Sequence, residues 1–228
     1  MFVKKRVTLL CGHYGSGKTN IAVNLALKWA GEGEKVTIAD LDIVNPYFRT
    51  KDSARELEMA GVKLIVSPYA NTNVDVPALP QELNAVTEDR SRLAILDVGG
   101  DDRGALALGR WAPAIREEND YDMLFVFNAS RPLTRTPQAA IEILREIEEA
   151  GGIPFTGIVN NTHLGSETTP EMVLQSVETA GELSRLTRLP LRFTAVRKDL
   201  AGSLRGKVEP LLEMELQSKL WSSFDRNF

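Results

Sequence analysis

CGHYGSGKTN (11–20) carries the decisive spacing in this sequence: Gly12, Gly17, Lys18 and Thr19 fit the pattern G-x-x-x-x-G-K-[ST]. The context makes the match specific. An apolar run (KRVTLLCG, 5–12) reads as a strand leading into it, and residues 18–31 carry helical spacing leading out. Glycines at these places let backbone N–H groups converge on phosphate oxygens, and the helix that follows adds the positive end of its dipole. Gly12, His13, Tyr14, Gly15, Ser16, Gly17, Lys18, Thr19 and Asn20 are therefore the expected nucleotide-binding residues. In such a loop Lys18 supplies a point charge to the β and γ phosphates, and Thr19 gives its hydroxyl to Mg²⁺.

A magnesium ion keeps several waters but needs acidic oxygens close by, so carboxylates are expected at neighbouring strand ends. Asp97 ends the apolar run LAILD and is followed by Val98-Gly99-Gly100, a D-x-x-G turn in which Gly100 offers an N–H to a γ-phosphate. Asp40 and Asp42 close the run KVTIADLD and share one side by the period of two. Strand-end aspartates are more often turn formers or helix caps. Three of them after a phosphate loop make Asp40, Asp42 and Asp97 the candidate metal-site residues.

The rest of the chain repeats this alternation. Short runs rich in β-branched residues lie at 5–12, 35–41, 62–68, 92–98, 122–128, 155–161 and 189–196, mostly without polar alternation. Near-continuous apolar runs suit strands covered on both faces, as in parallel sheets. Helical spacing occupies 18–31, 104–117, 137–150 and 169–186; in the third, Pro137 lies near the start and Gly151-Gly152 at the stop. The expected fold class is α/β: one doubly wound, mostly parallel sheet flanked by helices, in a single domain spanning 1–228. Two regions depart from the pattern. Residues 68–91 hold Pro68, Pro77 and Pro80 among polar clusters, which reads as a long connection with one short helix. Residues 208–224 place Leu211, Leu212, Leu216, Leu220 and Phe224 at roughly helical spacing, so a C-terminal helical segment is expected there.

Composition removes several classes of function. At 228 residues and 43% hydrophobic content the chain can bury a sizeable core, and a net charge of −4 gives no overall attraction to nucleic acid or anionic lipid. The single cysteine, Cys11, forms no internal disulfide and sits inside a predicted strand, where a buried inert thiol is expected. With two histidines and one cysteine there is little material for a transition-metal cage. The apolar run after the basic start is shorter than a secretory core of about 7–15 residues. No run approaches the ~18 residues of a membrane span, which makes the cytoplasm the expected compartment.

GHYGSGKTNIAVNLALKWAGEGEKVTIADLD resembles the opening of the MinD/ParA-type nucleotide-binding P-loop ATPases: KGGxGKT, then NLA in the first helix, then DxD after the second strand. Asn24-Leu25-Ala26 and Asp40-Leu41-Asp42 fall in that order, and the resemblance extends more loosely through DVGGDDRG, FVFNASRP and GIVNN. It implies an ATP hydrolase with ATP and Mg²⁺ as ligands. Lys18 and Asp42 would be the catalytic residues, with Asp42 orienting the attacking water, Asp97 holding the metal through water, and Asp40 supporting that shell. Asn160 would lie against the adenine. Guanine readers use N-K-x-D, and Asn160-Asn161-Thr162-His163 lacks the lysine and the aspartate. The family's signature lysine, which reaches a partner's phosphates across a nucleotide-dependent homodimer, is replaced here by His13. A histidine does not reproduce a permanent, long-reaching ammonium. The open readings for His13 are a phosphate-facing donor, a pH-sensing group and a space-filling residue under Tyr14.

The resemblance thus implies a slow ATPase acting as a nucleotide switch for an unidentified protein partner. The alternative is a small-molecule kinase or ATP-dependent synthetase of cofactor metabolism, with 68–91 and Asn45-Pro46-Tyr47-Phe48-Arg49 forming a pocket for a small-molecule acceptor. The NPYFR segment reads equally as a partner contact or as an aromatic staple for its own loop. Arg103, Arg131 and Arg135 follow strand ends or the D-x-x-G turn, as arginines that neutralise phosphate do, although surface arginine is common.

Overall fold

In the computed structural model, residues 3–41, 54–66, 81–100 and 105–216 are described. Their strands are β1 (Val7–Cys11), β2 (Val36–Asp40), β3 (Lys63–Ile65), β4 (Leu93–Asp97), β5 (Tyr121–Phe127), β6 (Gly157–Asn160), β7 (Leu191–Arg197) and β8 (Leu211–Met214). They form one sheet in the order β3-β2-β4-β1-β5-β6-β7-β8. Every pairing is parallel. Helices α1 (Lys18–Gly31), α2 (Ala54–Met59), α3 (Ala85–Glu88), α4 (Ala112–Glu118), α5 (Pro137–Gly151), α6 (Pro170–Thr187) and α7 (Lys198–Leu204) connect the strands.

The missing polar alternation follows from burial on both faces. Along β1, Val7, Leu9 and Cys11 join one core with Phe125, Phe127, Leu144 and Trp111, while Leu10 joins a second core with Ile21, Leu25 and Trp29 of α1. Each of these fully buried large side chains contributes roughly 2 kcal/mol of transfer free energy. The strands are therefore anchored on both faces.

Helix ends follow local chemistry. Thr136 accepts from Ala139 N–H at 3.3 Å, Pro137 takes the first position of α5, and left-handed Gly152 donates to Glu148 O to end it. Thr169 and Pro170 open α6 in the same way.

Two expectations need correction. The helix expected over 104–117 is broken: Ala107–Arg110 is a 3₁₀ turn, and a new helix starts at Ala112 with Pro113 in its first turn. Proline has no N–H to continue an existing helix but is tolerated at the start of one. In the described part of the tail expected to be helical over 208–224, Leu211–Met214 forms strand β8 instead. There Leu212 and Met214 are buried, and Thr194 N–H of β7 bonds Pro210 O at 2.8 Å. The open edge of β7 supplied a pairing partner, and the leucines that fit a helical period also fit a period of two. Residues 217–224 lie outside the described residues, as do 68–80 of the long connection; its described part forms a 3₁₀ turn (Gln81–Asn84) and α3.

Candidate functional site

In a parallel sheet the strand ends that feed the helices lie on one rim, where ligands bind in open α/β folds. Here β1 is interior, flanked by β4 and β5. Leu10 is in register with Asp97, and Asp97 with Asp40, which brings the phosphate loop and two carboxylates to one place. The ends are knitted by main-chain bonds from Val98 N to Leu10 O and from Leu41 N to Asp97 O. Asp40 and Asp97 are both buried.

Gly12 to Gly17 form a tight, pre-shaped loop. Gly12 adopts φ +148, and a Cβ there would lie 2.1 Å from Val126 O, so the loop presses directly on β5. Gly17 (φ +85) is the left-handed residue that turns the chain into α1, and a Cβ there would lie 2.3 Å from Asn161 Nδ2. Ser16 N–H closes the turn on His13 O. The Ser16 hydroxyl is buried and has no hydrogen-bond partner within the chain. A buried hydroxyl without a partner in a glycine-rich loop at a helix N-terminus suits an anionic oxygen.

Lys18 turns back over this loop, its Nζ donating to Gly12 O at 2.8 Å and to His13 O at 3.4 Å. Thr19 Oγ1 donates to Asp97 Oδ2 at 2.6 Å. Hydroxyl and carboxylate together are hard oxygen donors suited to Mg²⁺, which fills its remaining positions with water and phosphate. Among the described residues no group of three or more His, Cys, Asp or Glu could cage a metal on its own. A cation here would thus be shared between Thr19, Asp97 and a phosphate, with Asp40 beside them. Gly100 abuts the loop from the β4 side, where a Cβ would lie 2.6 Å from Tyr14 N. That approach puts the D-x-x-G turn against the loop, as its spacing suggests. Asp42, Arg103 and the NPYFR segment lie outside the described residues.

After β6 the two neighbouring asparagines take different places. Asn160 is fully buried, with Nδ2 donating to Ser176 Oγ at 2.8 Å and Oδ1 accepting from Thr162 N–H and Oγ1. It shapes the loop after β6 and does not line the nearby cleft. Asn161 does, together with Asn20, Thr162, His163, Arg197 and Leu216, and its Nδ2 donates to Ser16 O at 2.6 Å. Strand parity carried this signal. Ile158 and Val159 belong to opposite cores, so Asn160 faces α6 and Asn161 faces α1 and the phosphate loop.

The loop's other neighbours are also settled. His13 Nδ1 lies 3.1 Å from Tyr14 O, and Tyr14 is exposed. Burial pushes the Cys11 thiol far above its usual range against the opposing pull of Lys18, so an inert thiol underlies the loop.

No family model matches the chain. Among curated proteins it is similar to the ATPase GET3C of Arabidopsis thaliana, 26% identical over 196 residues that cover 84% of this chain and 46% of that protein. The chain thus spans about half the length of this relative. Among solved structures it is similar to the cell division protein FtsY of Thermotoga maritima, with a TM-score of 0.58 and 20% identity, covering 83% of this chain and 61% of that one. It is also similar to the signal recognition particle 54 kDa protein of Aeropyrum pernix in complex with GDP, with a TM-score of 0.54 and 20% identity, covering 82% of this chain and 40% of that one. An all-parallel sheet, a glycine loop running from its interior strand into α1, and these structural neighbours together give the chain a P-loop NTPase fold.

Proposed function

We propose that this protein binds ATP with Mg²⁺ and hydrolyses it slowly, its nucleotide state being read by a partner protein. The observation that supports this most is the joint placement of Lys18 over the loop carbonyls and of Thr19 on Asp97. An ammonium and a hydroxyl–carboxylate pair flank one glycine-rich loop, which is the equipment for a polyphosphate and its cation. When bound, Mg²⁺ would neutralise charge on the phosphate oxygens. The chain's own residues do the rest: Lys18 exchanges carbonyls for phosphate oxygens, the loop amides hold the anion, and Asp42 orients the attacking water. Adenine over guanine is supported by the loop after β6, which lacks the lysine and aspartate of N-K-x-D, and by the similarity to a named ATPase. The exposed side chains Tyr14, Leu106 and Leu133 near the loop suit a surface that meets a partner or a second copy.

Calorimetric titration of ATP and GTP with and without Mg²⁺ tests this reading, combined with hydrolysis and solution mass. Wild-type protein should bind ATP in preference to GTP, and Lys18→Ala should weaken ATP binding by at least about 30-fold, the scale of a lost charge-assisted contact. Asp42→Ala should keep binding and lose hydrolysis. Turnover seen only after a small-molecule acceptor is added would move the function to phosphoryl transfer onto that acceptor. ATP-dependent doubling of the mass would establish a homodimer.

A further inference from the structure

We infer that Arg131 supplies, within the same chain, the permanent cation that the phosphate loop lacks at residue 13. Arg131 follows β5 and lays its guanidinium on the loop, with Nε donating to Gly15 O at 3.1 Å. A Cβ at Gly15 would lie 2.9 Å from Arg131 Nε and Cζ and 3.1 Å from Nη2, and Gly15 itself has φ +77. The left-handed backbone of residue 15 favours glycine, and the absence of a side chain there leaves room for the guanidinium to lie close to the loop.

The side chain is presented by a braced turn. Asn128, fully buried, accepts through Oδ1 from Ser130 N–H at 2.9 Å and His163 N–H at 3.2 Å, and donates through Nδ2 to His163 O at 3.1 Å. Its main-chain oxygen accepts from Arg131 N–H and from Thr134 Oγ1. Ala129 N–H reaches Thr162 Oγ1 across the same gap. Pro132 follows directly and opens a 3₁₀ turn. The turn carrying Arg131 is thus fastened to the loop after β6, which in turn holds the phosphate loop through Asn161. A solvated surface arginine needs none of this bracing.

The charge distribution points the same way. Lys18 is the loop's own cation, and residue 13 is an imidazole whose Nδ1 is directed to Tyr14 O. A guanidinium stays charged across the physiological range and offers N–H groups beyond the one on Gly15. Arg135 instead lines a separate hollow beside Met172 and Gln175. Of the two described arginines in this connection, Arg131 alone reaches the loop.

This inference rests on the nucleotide reading, and the test separates the two. ATP and ADP affinities of wild type, Arg131→Lys and Arg131→Gln are measured by calorimetry across a salt series, with thermal unfolding to confirm that each variant folds. The expected result is about tenfold weaker ATP binding and a shallower salt dependence for Arg131→Gln, with Arg131→Lys within about threefold of wild type. Arg131→Gln binding as wild type does would overturn the inference. So would equal weakening of both variants with unchanged salt dependence, because that marks an uncharged structural peg. Failure of the wild type to bind either nucleotide removes the nucleotide reading itself, and the inference with it.

Discussion

Near the N-terminal ends of the strands charged side chains are met by opposite charge, whereas at the C-terminal ends Asp97 is bonded by a hydroxyl and Lys18 by backbone carbonyls. Arg6, ahead of β1, grips both carboxylate oxygens of Glu118 and also donates to Val86 O at 2.8 Å. Asp122 in β5 takes Arg192 and Thr156 at 2.6 Å each. At the opposite rim Asp97 accepts from the hydroxyl of Thr19, and the ammonium of Lys18 rests on backbone carbonyls. A buried ion pair is costly to open because each partner would be left unpaired in low dielectric. A hydroxyl or carbonyl partner is exchanged more readily for a phosphate oxygen or a cation. One end of the sheet is held by arginine–carboxylate pairs, and the other carries bonds to a hydroxyl and to backbone carbonyls that a ligand can replace.

The sharpest way to break this division is at the end held by ion pairs. Arg6→Ala should lower unfolding free energy by about 3–5 kcal/mol, the usual cost of orphaning a buried partner, while ATP affinity of the folded fraction stays unchanged. Denaturant titration beside calorimetry reads both, and a matching loss of affinity would show that the ends are coupled. At the other end Asp97→Asn should do the reverse. Mg²⁺-dependent hydrolysis should fall about 100-fold, roughly 2.7 kcal/mol of barrier, with unfolding shifted by less than about 1 kcal/mol. Gly17→Ala lies between the two. It sets a Cβ against Asn161 at φ +85, so stability should fall by about 1–2 kcal/mol and ATP affinity should drop with it. The smallest effect is expected at Cys11. Burial holds its thiol protonated, so alkylation near pH 8 should run roughly a hundredfold slower than in the unfolded chain. Fast labelling of the native protein would mean that the floor of the loop opens.

Much of this was legible from residue pattern. The loop, α1 and the strand-end positions of Asp40 and Asp97 follow from local spacing, because glycine geometry and hydrophobic period act over a few residues. All seven expected strands are present, with β3 shortened to Lys63–Ile65. What escaped depended on distant contacts. Asn160 and Asn161 are chemically identical in sequence, and only their opposite cores tell the packed one from the one at the loop. β8 was read as helix because its leucines fit two periods, and the open edge of β7 decided between them. Arg131 was one arginine among three candidates until the fold laid it against Gly15.

The sheet begins and ends in very short strands. β3 has three residues and β8 has four, so each border exposes only a few main-chain donors and acceptors. Such borders offer little template for another chain to zip onto. An eight-stranded parallel sheet would otherwise be an invitation to fibrous growth, and here that route is curtailed by length alone. Among the described residues the surface open to another chain is accordingly made of side chains far more than of strand edge.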